Sequence, residues 1–377
     1  MCLRWKFCKG DFPPVRVFFD TGGASNSAGE NMQKPCMETV PVREAVGTVL
    51  CHDITRIVPG EGKGPVFRKG HVVREEDIEV LLRVGKEHLY VFEPQPGMVH
   101  EDAAAERIIA AIAGRNLKKT SPKEGRIDLV ASCDGLLRVE ARQLAAINNL
   151  GEITVATLHS LQYVTKGRSV AGARVVPLLI EDARLRALEA LVAEPIIEVL
   201  PLRPAKVGMV TTGSEVYSGR IKDAFGPVLR AKFAALGCTV MGQTITSDEA
   251  AMTADAIRDF LSRGADMVVV TGGVSVDPDD RTPLAIRQAG AKIVCYGAPV
   301  YPGAMFLLAH ADGAAGRVPV LGLPGCVMYH KTSIFDLIVP RLLAGLDVTV
   351  ADIASLGHGG FCAQCADCRY PVCPFGK

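Results

Sequence analysis

The chain has 377 residues, long enough for two or three domains with substantial cores. Hydrophobic residues make up 48% and charged residues 22%, an ordinary globular balance. A net charge of +1 and 6% aromatic residues exclude a broad basic nucleic-acid surface and a base-stacking platform, though not a local phosphate pocket. No apolar run approaches the length of a membrane span, and none near the N-terminus reads as a secretory signal.

Residues 1–36 hold Pro13-Pro14, Gly22-Gly23 and a Ser/Asn/Gly stretch without periodicity, and read as a disordered extension. Met37 is a candidate start. A mixed, β-rich α+β region is expected over 37–200. Within it, Asp77–Leu82 read as a short helix and Leu89–Phe92 as a strand. An alanine-rich helix is expected at 101–113, with Ile108, Ile109 and Ile112 on one side. Strands are expected at Ile153–Leu158 and Arg174–Ile180, and a helix at 182–193. Pro195, Pro201 and Pro204 then read as a linker. His52-Asp53 is a weak candidate pair, because one adjacent pair is more often structural.

From Lys206 strands and helices alternate, predicting a doubly wound α/β domain over 201–350. The expected strands are 207–210, 238–245, 267–270, 292–295 and 318–321. The expected helices cover 225–236, 252–261 and 283–289, with a long one from about 326. Thr282 and Pro283 suit the cap and first turn of their helix.

Three loops should meet at the carboxyl edge of this sheet. They are Thr212-Gly213-Ser214-Glu215, then Gly272-Gly273-Val274-Ser275 running on to Asp280, and Gly322-Leu323-Pro324-Gly325. Glycine backbone and hydroxyls at helix starts hold a phosphate without many basic side chains. Asp248 follows the second strand, in Thr246-Ser247-Asp248-Glu249, where helix capping is the competing reading. Asp280 is crowded by Asp277 and Asp279, and carboxylates beside an anion site point to metal binding or chemistry. Cys326 follows the Leu-Pro-Gly turn at a helix start, which should lower its pKa.

Thr-Gly-Gly-Val-Ser with a downstream Asp-x-Thr-Pro, the preceding Ser-Asp-Glu and Gly-Leu-Pro-Gly resemble the molybdopterin-binding domain. That domain is shared by molybdopterin adenylyltransferase and molybdopterin molybdotransferase, and it occurs at the start of CinA-type proteins. The resemblance covers about 206–345. Pro302-Gly303-x-x-Phe306 resembles a further turn of the same family.

The resemblance implies molybdopterin or its adenylylated form on the glycine and hydroxyl loops. It implies Mg²⁺, nucleotide and molybdate at Asp248 and Asp280, and a homo-oligomer serving a molybdoenzyme client. It departs where the family's lysines near the Pro-Gly turn are replaced by Tyr301 and Ala304-Met305, and where Cys326-Val327 follow Gly-Leu-Pro-Gly. The N-terminal half also lacks the molybdotransferase Asp-x-Ser/Ala-Met-Asp-Gly-Tyr signature. The implied function is a cytoplasmic molybdotransferase-like enzyme. A non-catalytic molybdopterin carrier and a CinA-like nucleotide pyrophosphatase are the alternatives.

The C-terminal segment 351–377 carries Cys362-x2-Cys365-x2-Cys368-x4-Cys373-Pro374. With no secretory signal, this spacing reads as metal ligation in a reducing compartment. A [4Fe–4S] cluster is expected from the compact Cys-x2-Cys-x2-Cys run, although x4 replaces the usual x3; a Cys₄ zinc site and a mobile thiol-rich tail without metal are the alternatives. Without a metal, the segment is expected to have little apolar surface to order it.

Overall fold

The computed structural model describes residues 38–58, 62–91, 96–275, 277, 280–314 and 316–377. The expected extension over 1–36 lies outside the described residues, as does Asp279. Among the described residues no helix is long and apolar enough to cross a membrane.

Residues 38–91 build a small unit. Strand Glu38–Pro41 pairs antiparallel with His88–Val91, and Ile54–Val58 forms a hairpin with Gly62–Phe67. The expected helix at Asp77–Leu82 is a 3₁₀ turn, Glu75–Asp77, continued by the α-helix Ile78–Arg83. Val42, Leu50, Ile54, Leu81 and Leu89 form its core.

In the next unit, helix Glu101–Ile112 buries Ala104, Ile108 and Ile112, spaced four apart on one stripe. Its apolar face joins the core formed by a four-stranded antiparallel sheet, ordered 117–119, 126–131, 169–175, 153–157. Three expectations change here. The single strand expected at 174–180 is two: Ser169–Val175, and Leu179–Glu181 paired with Met98–His100. The expected linker contains a strand, Ile197–Pro201, antiparallel to Gly135–Val139, with Ile197 and Val199 fully buried. Its proline lies on an edge strand of the sheet these two strands share, where a missing N–H is tolerated. Helix Ala141–Asn148 buries only Ile147, so it shows no readable stripe in the sequence.

The expected doubly wound domain is present. Six strands form one sheet in the order 239–246, 206–212, 267–271, 316–323, 307–313, 292–296. The first four run parallel and the last two are antiparallel additions. The strand Leu307–Gly313 is absent from the sequence-based reading.

Both faces of the sheet are covered. Val207, Met209, Met267 and Val269 point into the core shared with helices Phe225–Ala235 and Ile334–Leu343. Val210, Val268 and Val270 point into the core shared with Ala250–Ser262 and Thr282–Gln288. A strand buried on both faces needs an unbroken apolar run, and Met267–Thr271 is buried at every residue.

The long helix expected from about 326 is broken into Cys326–Tyr329 and Ile334–Leu343. Ser333 restarts it. Its hydroxyl accepts the Phe335 N–H, and the Asp336 carboxylate accepts the Ser333 N–H at 2.8 Å. Lys232 fixes the break by donating to the Lys331 carbonyl at 2.9 Å and to Asp336 at 2.8 Å.

The segment 351–377 does have apolar surface to order it, contrary to expectation. Phe375 is 3% exposed and belongs to the same core as Ile338 and Leu356, with Tyr370, Cys362 and Cys373 packed against it.

The central strand ends in a backbone contact that only glycine allows. Gly272 has φ +86°, and a Cβ there would lie 2.1 Å from the Thr212 carbonyl oxygen. Gly272→Ala should therefore cost about 2–4 kcal/mol, from a left-handed backbone carrying a side chain plus overpacking. Denaturant unfolding should show the midpoint falling at constant slope; an unchanged midpoint would refute the contact.

Candidate functional site

The carboxyl ends of three parallel strands deliver their loops to one edge of the sheet. Two of these loops and the Pro-Gly turn line one cleft of about 490 Å³. The glycine loop contributes Gly272, Gly273, Val274 and Ser275, and Asp280 follows it. Pro302 and Gly303 face it from the Pro-Gly turn, and Pro324 and Gly325 from the Leu-Pro-Gly turn. These nine residues line one cleft.

Thr212, Gly213, Ser214 and Glu215 stand one layer back. They do not line the cleft, but the Thr212 methyl carbon lies within ordinary contact distance of a Cβ built on Gly273. Glu215 folds its carboxylate over Gly213.

Asp248 does not line the cleft either. Its carboxylate accepts the Ser214 N–H at 2.9 Å and lies 3.4 Å from the Thr212 hydroxyl, which donates to the Ser247 carbonyl at 2.9 Å. Asp248 therefore ties the second strand's loop to the first. The capping arrangement available to Thr246 and Glu249 is not formed. Thr246 pairs its hydroxyl with Thr253 at 2.8 Å, and the following helix has no side-chain cap bond.

The start of helix Thr282–Gln288 also departs from simple capping. Arg281 is its cap residue, and the Thr282 hydroxyl donates to the Gly272 carbonyl at 2.8 Å. The Thr282 N–H donates to the Gly273 carbonyl at 3.0 Å. The helix start is stitched directly to the glycine turn. Tyr296 holds the same loop from the other side, its hydroxyl 3.1 Å from the carbonyls of both Val274 and Ser275. Burial, and then the Asp280 carboxylate, push the Tyr296 phenol pKa up, so this hydroxyl stays a donor.

Asp280 closes its own loop. Its carboxylate accepts the Asp277 N–H at 3.1 Å and its N–H donates to the Asp277 carbonyl at 2.9 Å. It is the one carboxylate among the described residues lining the cleft, and no Lys or Arg is among them. It offers a single hard-oxygen donor there, and no group of three metal-ligating side chains lies among the described residues.

Sequence reasoning missed several participants. Phe225 lines the cleft with no motif to announce it, and Tyr301 and Met305, noted in the sequence only as departures at the Pro-Gly turn, line it too. Asp223 caps the helix behind Phe225, accepting the N–H groups of Phe225 and Gly226 at 2.9 Å each. It also accepts from Gln243 at 2.6 Å, and Gln243 donates to the Thr211 hydroxyl at 3.0 Å. That helix start is thus filled by the protein's own carboxylate. An Asp two residues before a helix is a readable signal for it. Cys326 lines the cleft, but burial pushes its thiol pKa up instead of the helix start lowering it.

Cys362, Cys365, Cys368 and Cys373 line a separate cavity of about 230 Å³. No three His, Cys, Asp or Glu side chains among the described residues are grouped as ligands of one metal ion. The His52-Asp53 pair borders a third cavity. There the Asp53 carboxylate accepts the Lys69 N–H at 2.8 Å, and His52 Nδ1 is buried without a partner.

Comparison with known proteins follows the same division of the chain. Residues 39–93 match a domain of unknown function, DUF8806. Residues 208–344 match a family described as "Probable molybdopterin binding domain". A molybdopterin molybdenumtransferase of Synechococcus elongatus is 28% identical over 178 residues, 45% of this chain and 44% of that protein. A CinA-like protein of Mycobacterium tuberculosis is 33% identical over 91 residues, 24% of this chain and 21% of that protein. The chain thus matches less than half the length of either relative. The solved structure of the molybdopterin biosynthesis enzyme MoaB of Thermus thermophilus is 20% identical, covers 37% of this chain and 97% of its own, and gives a TM-score of 0.29. By the family match, residues 208–344 carry a probable molybdopterin binding domain.

Proposed function

We propose that the cleft holds the phosphate end of molybdopterin and that the chain inserts molybdate into adenylylated molybdopterin, as a cytoplasmic molybdotransferase-like enzyme. The observation carrying this reading is the convergence of the glycine, Pro-Gly and Leu-Pro-Gly turns on one cleft with one carboxylate. The family matched at 208–344 and the name of the Synechococcus relative support it.

In this reading the backbone at Gly272 and Gly273 takes the phosphate, because glycine lets the ligand approach the main chain. Asp280 would hold Mg²⁺ against the phosphate, where the ion supplies charge neutralisation. Asp248 is a positioning residue that keeps the Thr212–Ser214 loop against the glycine turn. Molybdate and the adenylylated pterin are substrates. A homo-oligomer and a molybdoenzyme client that takes the product belong to the same proposal.

The absence of Lys and Arg from the described lining favours one alternative, a carrier that binds the pterin without cleaving it. Purified chain supplied with adenylylated molybdopterin, Mg²⁺ and molybdate separates the two. AMP release dependent on both Mg²⁺ and molybdate is expected. Pterin binding without AMP release would leave only the carrier, and hydrolysis of ADP-ribose would favour the CinA-like activity instead.

Two substitutions divide the roles. Asp280→Ala should slow AMP release at least about 100-fold while leaving pterin affinity unchanged, because the charge clamp acts on the transition state. Turnover near wild type would remove Asp280 from the chemistry. Asp248→Ala should lower stability by about 1 kcal/mol by stranding the Ser214 N–H, and should weaken pterin binding as the loop loosens. Calorimetric binding alongside a denaturant melt checks both effects, and unchanged affinity would refute the positioning role.

A further inference from the structure

The four tail cysteines stand apart from the pterin cleft, and nothing in the proposed molybdate chemistry uses them. All four line one cavity of about 230 Å³, formed where the tail folds back on the segment that breaks the last long helix. From that segment Thr332 meets the cavity, its hydroxyl 3.1 Å from Cys368 Sγ.

The cavity is built on an ordered frame. The Tyr370 hydroxyl donates to the Asp336 carbonyl at 2.9 Å, and the Gly376 N–H donates to the Gly359 carbonyl at 2.9 Å. The Tyr301 N–H donates to the Gly360 carbonyl and the Cys362 N–H to the Tyr301 carbonyl, each at 2.8 Å. Phe375 anchors the end of the tail in the domain core. A loop so fixed, with four thiols on one hollow, is a preformed receptacle.

Four thiols on one cavity can each bind a different iron of one cluster, which would fill the space between them. The Cys-x2-Cys-x2-Cys run and the proline after Cys373 agree with that ligation.

We propose that Cys362, Cys365, Cys368 and Cys373 bind a [4Fe–4S] cluster in this cavity. Loading is a ligand exchange. Each protein thiol gives its proton to a departing thiolate as its own sulfur–iron bond forms, and no electron changes hands. Through the pairing of Tyr301 with the tail, the cluster site abuts the rim of the pterin cleft.

The test uses the full chain, purified anaerobically and metal-free, and incubated with a synthetic [4Fe–4S] thiolate complex. A parallel sample receives zinc alone. After desalting, about four iron and four sulfide per chain are expected, with broad visible absorption that bleaches on reduction. Cys365→Ser, at an exposed position, should retain less than half of that iron while its far-ultraviolet dichroism and melt match wild type. Cys133→Ser, in the N-terminal half, should load fully. Stoichiometric zinc with no iron retained would overturn the proposal. So would retention of neither metal, or full loading of a folded Cys365→Ser.

Discussion

The carbonyl of Thr212 and the backbone of Gly272 lie closer than any side chain would permit, and much of the site is arranged around that contact. It joins the ends of two adjacent parallel strands, 206–212 and 267–271, so the loops leaving them cannot separate. Thr282 then bonds back to the same glycine turn, which places a helix start and Asp280 beside it. Tyr296 grips the loop from the antiparallel edge. The glycine turn is therefore held by one close backbone contact and by the hydroxyls of Thr282 and Tyr296.

That mode of construction explains the charge of the site. A pocket that relies on glycine backbone needs few basic side chains, and a chain of net charge +1 supplies none to the described lining. The start of helix Phe225–Ala235 is already satisfied by Asp223. The one carboxylate on the described lining is Asp280.

The tail is a continuation of the domain in packing terms. Phe375 shares a core with Ile338, and Tyr370 reaches the backbone of the same helix. The break at 330–333, stabilised by Ser333, Asp336 and Lys232, exposes the short segment on which the cysteine cavity is built. A continuous helix there would leave no such hollow.

The sequence by itself determined the doubly wound domain, because strands buried on both faces demand uninterrupted apolar runs such as Met267–Val270 and the intervening helices carry a 3.6-residue stripe. It also determined the glycine and proline turns, whose residue types follow from backbone conformation. Tertiary structure decided what long-range pairing controls. Ile197–Pro201 reads as a proline-rich linker until Gly135–Val139 lies beside it. The bond from the Ser214 N–H to the Asp248 carboxylate, thirty-four residues away, is visible only in the fold. Cys326 reads as an activated thiol until burial pushes its pKa up. The spacing of the tail cysteines was legible from the chain, but whether they share one cavity was not. That depended on Phe375 and Tyr370 docking into a core assembled by distant residues, and no local pattern encodes such a contact.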